Sequence, residues 1–143
     1  MRQMPIACVD LILEDQSSRI LFGFRGIAPY RNKWALVGGR ILHGEDLGTA
    51  STRISNEYGI KVDRDHLFLV GVFPIVFKER ADIVIAVAAP GAEGIPVIDG
   101  KEFKRMSWSK KTPTGLGTNY NRMVAKWFAM RTNTALVRQC KID

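Results

Sequence analysis

Cysteine and histidine are scarce in this sequence. Its 143 residues include two cysteines, Cys8 and Cys140, and two histidines, His43 and His66. None of the four stands at the spacing of a metal-binding motif, and two distant cysteines do not form a disulfide framework. This pattern excludes a zinc-finger-like protein and a small disulfide-held secreted domain. It indicates free thiols in a reducing compartment.

Long apolar runs are also missing. No apolar stretch approaches the ~20 residues that a membrane-spanning helix needs. The apolar run near the N-terminus is broken by Asp10 and ends at Glu14 and Asp15, which is not the pattern of a signal peptide. We therefore expect a soluble cytoplasmic protein with no membrane partner.

Acidic residues are outnumbered by basic ones. Lysine and arginine total 21 against 14 aspartates and glutamates, so the formal net charge is +7. Hydrophobic residues make up 46% of the chain, which predicts one core and a single domain over residues 1–143. The basic excess favours an anionic partner, either nucleotide phosphates or a nucleic acid. Because the cations of the C-terminal half form no recognised motif, nucleic acid is the less favoured of the two.

The order of the strand and helix signals predicts an α/β domain with a mixed β-sheet. Runs rich in Val, Ile and Phe predict the strands, and a short apolar run, Trp34–Val37, stands between the second and third of them. The predicted strands are Ile6–Leu13, Ile20–Phe24, Leu67–Phe77, Ile83–Ala89 and Phe103–Trp108.

Two helices are predicted from their capping signals. Asp46 is a suitable N-cap for a helix that reaches about Tyr58 and is stopped by Gly59. A final helix is expected to start at Thr118 or Asn119 and to run through about Met130. Its apolar stripe is interpreted as core packing and consists of Tyr120, Met123, Val124, Trp127 and Phe128.

The segment from Gly38 to Glu45 carries the strongest chemical signal. Paired glycines indicate a backbone that turns sharply or approaches a ligand closely. A diphosphate bridged by a hard cation needs oxygen ligands for the metal and basic side chains for the phosphate oxygens. Nearby basic candidates are Arg25, Arg40 and Arg53. A structural glycine turn beside a solvated helix face would leave the same pattern, and the residues alone do not decide between the two.

This segment and the helix after it resemble the Nudix box, whose pattern is G-x5-E-x7-R-E-U-x-E-E-x-G-U with U apolar. Gly39 and Glu45 match its start, and Glu57-Tyr58-Gly59-Ile60 resembles its end, although the stretch is one residue short. A gap near Gly48 keeps Ala50 and Ile54 at the core positions of the box.

In that register the box is degenerate. Thr52 replaces the box arginine, while Arg53 and Asn56 replace two of its metal-binding glutamates, so that Glu57 alone remains. A second register pairs Arg53 with the box arginine but loses the core alignment. The resemblance implies a Nudix-like α/β/α sandwich with a mixed β-sheet.

Within the Nudix family, the chain resembles the GDP-mannose mannosyl hydrolases. The similarity runs without a gap from Pro5 to Arg40. It implies a hydrolase of a nucleoside diphosphate sugar, in which water attacks sugar C1 and the nucleoside diphosphate leaves. It also implies a homodimer and one Mg²⁺, which Mn²⁺ could replace, held by the Gly39 carbonyl and Glu57.

The same similarity assigns roles around the substrate. It places Asp10, Arg25 and Arg40 around the sugar and the diphosphate, with the two arginines stabilising the leaving group. The subfamily's catalytic histidine is missing, since Ala81-Asp82-Ile83 stands at its place. A carboxylate can take over as general base, and Asp82 is the candidate, with Glu79 as the second choice.

Two other functions remain open. A pyrophosphatase of the same family would cut the diphosphate and release a nucleoside monophosphate. A non-catalytic module would bind a nucleotide sugar without turnover, and a degenerate box without the histidine is what such a module would show.

Overall fold

The computed structural model describes residues 4–143 and contains a mixed sheet with helices packed on both faces. The strands are β1 (Ile6–Glu14), β2 (Ile20–Arg25), β3 (Trp34–Ala35), β4 (Val37–Arg40), β5 (Phe68–Val76), β6 (Ala81–Pro90) and β7 (Phe103–Ser109). The helices are α1 (Leu47–Glu57), α2 (Thr118–Met130) and α3 (Thr134–Gln139), and Arg64–His66 forms a short 3₁₀ turn.

Strand β1 is the centre of the sheet. It runs parallel to β6 along its whole length, from Ile6 opposite Asp82 to Glu14 opposite Pro90. Its other edge pairs antiparallel with β4 and, at its last residue, with β2. The order β3-β2-β1-β6-β5, with β4 beside β1 and β7 beside β2, confirms the predicted mixed sheet.

The alternation of side chains along β4 shows which helix covers which face. A Cβ atom at Gly38 would point at Asp10 of β1, whereas one at Gly39 would point at Ile54 of α1. Helix α1 therefore covers one face of β1 and β4. Helix α2 lies on the opposite face, where its Tyr120 shares a cavity with Asp10. This arrangement confirms the α/β/α sandwich.

The predicted signals of α1 are confirmed in detail. The side chain of Asp46 accepts a hydrogen bond from the Thr49 amide at 2.7 Å, and Gly59 ends the helix with φ at +76°. Ala50 and Ile54 are fully buried, which confirms that they face the core.

Other boundaries differ from the predictions. Gly38 and Gly39 do not form a turn, because both lie in β4 and pair with Asp10 and Val9. Helix α2 begins at Thr118 but its N-cap is Gly117, which contributes no side-chain cap. Helix α3 was not predicted at all. Since it has six residues and no buried one, it lacks the apolar stripe by which a helix is recognised.

The helices are too short or too polar to cross a membrane, which holds for the described part of the chain.

Candidate active site

The parallel register of β1 and β6 creates the candidate site. Side chains on one face of these strands, Cys8 and Asp10 from β1 and Asp82 and Val84 from β6, line one cavity of about 160 Å³. Arg25 from the end of β2 and Arg40 from the end of β4 reach the same cavity. The structure thus brings together four predicted residues that are far apart in the chain.

Arg25 is held by two oxygen acceptors. Its Nε donates to the Pro29 carbonyl at 2.6 Å, and its Nη1 donates to Glu102 Oε1 at 3.0 Å. The second oxygen of Glu102 accepts from the Tyr58 hydroxyl at 2.9 Å. These contacts fix a guanidinium that is only 7% exposed, which reduces the entropy lost when it binds an anion.

The side chain of Arg40, in contrast to that of Arg25, has no carboxylate partner. It reaches the cavity without forming an ion pair with any carboxylate of residues 4–143. Its carbonyl, on the outer side of β4, accepts from Nη2 of Arg53 at 2.7 Å. Arg40 therefore offers a charge to an incoming anion while its main chain is fixed.

Asp82 is buried, with 6% of its surface exposed. Its Oδ2 accepts from Arg80 Nη2 at 3.2 Å. Its Oδ1 lies 3.0 Å from Nε of the same arginine but outside hydrogen-bond alignment, so it has no donor within the described chain. A buried carboxylate oxygen without a donor is costly unless another group, such as a ligand or water, supplies the proton.

Among the carboxyl groups of the cavity, Asp10 is the one whose pKa this environment shifts clearly. Burial raises the pKa of its carboxyl from an ordinary 3.8 to about 7, because the charged form is poorly solvated. The Arg25 guanidinium opposes this shift, whereas the Asp82 and Glu102 carboxylates add to it. Cys8 shares the environment, and burial raises the pKa of its thiol to about 11.

The raised pKa of Asp10 predicts that Asp10→Asn stabilises the protein at alkaline pH. Between pH 4 and 7 the folded protein holds a proton that the unfolded chain has lost, so its free energy of unfolding falls as the pH rises. Asparagine removes this penalty. Urea unfolding at pH 8 should show the variant more stable by on the order of 1–4 kcal/mol, and the difference should vanish near pH 4.

The exposed Asp65→Asn change is the control for this measurement. A stability difference between Asp10→Asn and the wild type that stays constant across the pH range would show that Asp10 does not titrate as described.

Several residues of the cavity were not predicted. They are Arg80, Glu102 and the aromatic side chains of Tyr30, Phe77 and Tyr120. Tyr30 packs edge-on against both other rings, with centroids 6.2 Å from Phe77 and 5.2 Å from Tyr120. Of these five residues, only Tyr120 belonged to a recognisable sequence pattern, the apolar stripe of α2. Arg80 and Glu102 lie in polar loops that resemble any solvated loop.

Three residues considered in the sequence lie elsewhere. Glu79 and His43 are exposed and do not line the cavity. His66 is paired through Nδ1 with Asp63 Oδ2 at 2.7 Å on the surface. None of the three is placed to act as a base in this cavity.

Of the two predicted metal ligands, Glu57 is bound by the Arg53 guanidinium, whereas Gly39 precedes the residue whose carbonyl that guanidinium binds. Arg53 donates to Glu57 Oε1 at 2.9 Å, to both oxygens of Glu45 at 2.8 and 3.0 Å, and to the Arg40 carbonyl at 2.7 Å. The described residues contain no group of three or more His, Cys, Asp or Glu side chains suited to a metal. As it stands, this cluster of oxygens does not fit a divalent cation, because a guanidinium already binds both carboxylates and the Arg40 carbonyl.

Comparison with known proteins identifies the fold. No family model matches the sequence, and no curated protein matches it either. Among solved structures, a MutT Nudix hydrolase from Burkholderia pseudomallei superimposes with a TM-score of 0.77 at 19% identity, over 87% of this chain and 98% of that one.

Two further structures are similar. The E. coli ORF135 protein gives a TM-score of 0.72 at 19% identity, over 93% of this chain and 96% of that one. The Nudix domain of Shewanella oneidensis NrtR, in complex with ADP ribose, gives 0.70 at 16% identity, over 90% and 89%. At these identities the likeness establishes the architecture, and the chain has the fold of the Nudix hydrolases.

Proposed function

We propose that this protein hydrolyses a nucleoside diphosphate sugar, with water attacking sugar C1 and the nucleoside diphosphate leaving. The observation that carries the proposal is the single cavity lined by Arg25, Arg40, Asp10 and Asp82. Cations for a leaving diphosphate and carboxylates for a sugar and a water molecule are the parts that this reaction needs.

The size of the cavity supports binding of the reacting group. At about 160 Å³ it is smaller than the roughly 300–1,000 Å³ of sites that enclose a whole small molecule. A sugar fits such a volume, and the diphosphate would lie toward Arg40 at its exposed rim. The aromatic side chains of Tyr30 and Phe77 offer apolar faces to the rest of the ligand.

Asp82 is the proposed general base. Asp82 lines the cavity, and its Oδ1 is buried without a hydrogen-bond donor in the described chain. This oxygen is the one proposed to accept a proton from a water molecule that enters with the substrate. As the water oxygen bonds to C1, its proton passes to Asp82 and the C1–O bond to the diphosphate breaks. The leaving group departs as an anion, with Arg25 and Arg40 stabilising the added charge, and the anomeric carbon is inverted.

Asp10 is the proposed sugar ligand. With a pKa near 7, its carboxyl exists in both protonation states at neutral pH and can donate to or accept from a sugar hydroxyl. A homodimeric state, which the resemblance implies, and a cytoplasmic location, which the cysteine usage and the N-terminal sequence favour, belong to the same proposal.

A pyrophosphatase is the second candidate, and the complex of the similar NrtR domain with ADP ribose supports testing that ligand. A third candidate is a module that binds the nucleotide sugar without turnover.

The three candidates are separated by one experiment. The protein is incubated with GDP-mannose, other nucleoside diphosphate sugars and ADP ribose in ¹⁸O-labelled water, with and without Mg²⁺, and the products are identified by mass spectrometry. Label on the free sugar together with an unlabelled nucleoside diphosphate supports the proposal. Label on a phosphate supports a pyrophosphatase, and calorimetric binding without product supports the module.

A further inference from the structure

We propose that the Arg53 guanidinium is a built-in cation that takes the place of a divalent metal beside the Gly38–Glu45 segment. Nucleoside diphosphate binding by this chain is then independent of divalent cations. The inference goes beyond the proposed function. Its statement about nucleotide binding rests on that function, whereas its statement about the metal site does not.

The contacts of Arg53 carry the inference. One guanidinium makes four hydrogen bonds of 2.7 to 3.0 Å, which join the end of β4 to the loop before α1 and to the last turn of that helix. The acceptors are two carboxylates and one backbone carbonyl. Hard divalent cations take the same set of oxygen ligands.

The charges of this cluster are already balanced. Glu45 and Glu57 contribute two negative charges, Arg53 contributes one positive charge, and Arg40 carries a second on the same strand end. A divalent ion placed here would meet the guanidinium at close range, where like charges repel strongly. Arg64 also lies at the start of α1, over Gly48, but its charge is balanced by its ion pair with Asp46 at 3.0 Å.

The Arg53 guanidinium also positions Arg40 at the cavity. By donating to the Arg40 carbonyl it fixes the strand end from which the Arg40 side chain reaches the cavity. A metal at this point would hold the same backbone through the same kind of oxygen. Arg53 is thus a positioning residue that acts through Arg40.

Mn²⁺ binding tests the inference without any need for turnover. The wild type should bind no stoichiometric Mn²⁺ by calorimetry or by electron paramagnetic resonance. Arg53→Gln frees two carboxylates and a carbonyl. This variant should bind one Mn²⁺, with an affinity at least about tenfold higher than any weak Mn²⁺ binding measured for the wild type. Adding Glu57→Gln to this variant should abolish the gain, and Arg53→Lys, which keeps the charge, should not show it.

A second measurement uses the wild type alone, so it does not depend on the folding of a variant. Its affinity for GDP, and for ADP as a second probe, is measured in EDTA and in Mg²⁺. Equal affinities are expected. A strict requirement for Mg²⁺, or one Mn²⁺ bound to the wild type and lost in Glu57→Gln, would overturn the inference.

The two proposals can fail separately. A folded Arg53→Gln variant without any gain in Mn²⁺ affinity would also contradict the built-in cation. Absence of turnover with every nucleoside diphosphate sugar would instead reject the proposed reaction and leave the Mn²⁺ result unchanged.

Discussion

Asp82→Asn should reduce turnover by about 100- to 10,000-fold, the range expected when a general base is removed. Asparagine keeps the shape of the side chain, and its amide oxygen, placed where Oδ2 of the aspartate lies, can accept from Arg80, so the cavity should stay intact. It cannot take a proton from water at neutral pH. Steady-state kinetics should therefore show a loss in kcat, with nucleotide binding unchanged or tighter because a negative charge has been removed.

Glu79→Gln is the matched control for this loss. Glu79 lies in the loop joining β5 to β6, three residues before Asp82, but it is exposed and does not line the cavity. Its change should leave kcat unaltered. The opposite pattern, with activity lost in Glu79→Gln and kept in Asp82→Asn, would move the base to Glu79.

Chemical rescue separates a lost base from a distorted site. Asp82→Ala leaves a space beside C1 that a small carboxylate such as formate can enter. Added formate should restore part of the activity of Asp82→Ala and none of the activity of a misfolded variant. A variant that binds nucleotide, is inactive and does not respond to formate would argue against proton transfer at this position.

Gly38→Ala should cost about 1–3 kcal/mol of stability, as overpacking of a filled site does, and should also displace Asp10. A Cβ atom at Gly38 would overlap Oδ1 of Asp10 and lie 2.8 Å from the Val9 carbonyl oxygen. A backbone oxygen in a paired strand cannot move far. The Asp10 carboxylate must then rotate or β1 must separate from β4, and either change disrupts the cavity.

Gly39→Ala is the neighbouring control. Its Cβ would point to the opposite face, 3.2 Å from Cγ1 of Ile54, a side chain that can shift by a few tenths of an ångström. Urea unfolding should show a much smaller loss for Gly39→Ala than for Gly38→Ala. Equal losses would mean that contact with Asp10 is not what requires glycine at position 38.

A double variant identifies the clash. Gly38→Ala combined with Asp10→Ala removes the overlap with the carboxylate and keeps the close contact with Val9. Part of the stability should return, whereas substrate binding should not, because the proposed sugar ligand is gone. If the double variant is as unstable as Gly38→Ala alone, the loss of stability comes entirely from the contact with the Val9 carbonyl.

The pair Gly38 and Gly39 shows what a local sequence pattern can predict and what it cannot. The sequence indicated either a sharp turn or a close approach to a ligand. At Gly38 the structure shows another reason for glycine, because the Asp10 side chain of the adjacent strand occupies the space, and the approach to a ligand stays a prediction. The turn is wrong, because extended glycines paired with β1 satisfy their backbone groups in the sheet. Composition alone could not separate the two, since glycine is suited to both.

Arg53 shows the same limit. On the helix it stands four residues before Glu57, and that pair was readable from the spacing. Its contacts with Glu45 and with the Arg40 carbonyl depend on how the β4–α1 loop folds back over the helix. Glu57 was therefore predicted as a metal ligand without knowledge of how completely the Arg53 guanidinium is engaged by the oxygens around it.

By itself, the sequence determined five of the seven strands, the extent of α1 and the set of arginines and carboxylates available for chemistry. Those features depend on hydrophobic period, capping residues and residue type, which act over a few positions. Only the tertiary structure decided that Asp10 and Asp82 face one cavity. It also decided that Arg40 has no ion-pair partner among the described residues, whereas Arg53 pairs with Glu45 and Glu57. The reason is that strand register and ion-pair partners are fixed by packing between segments as far apart as β1 and β6.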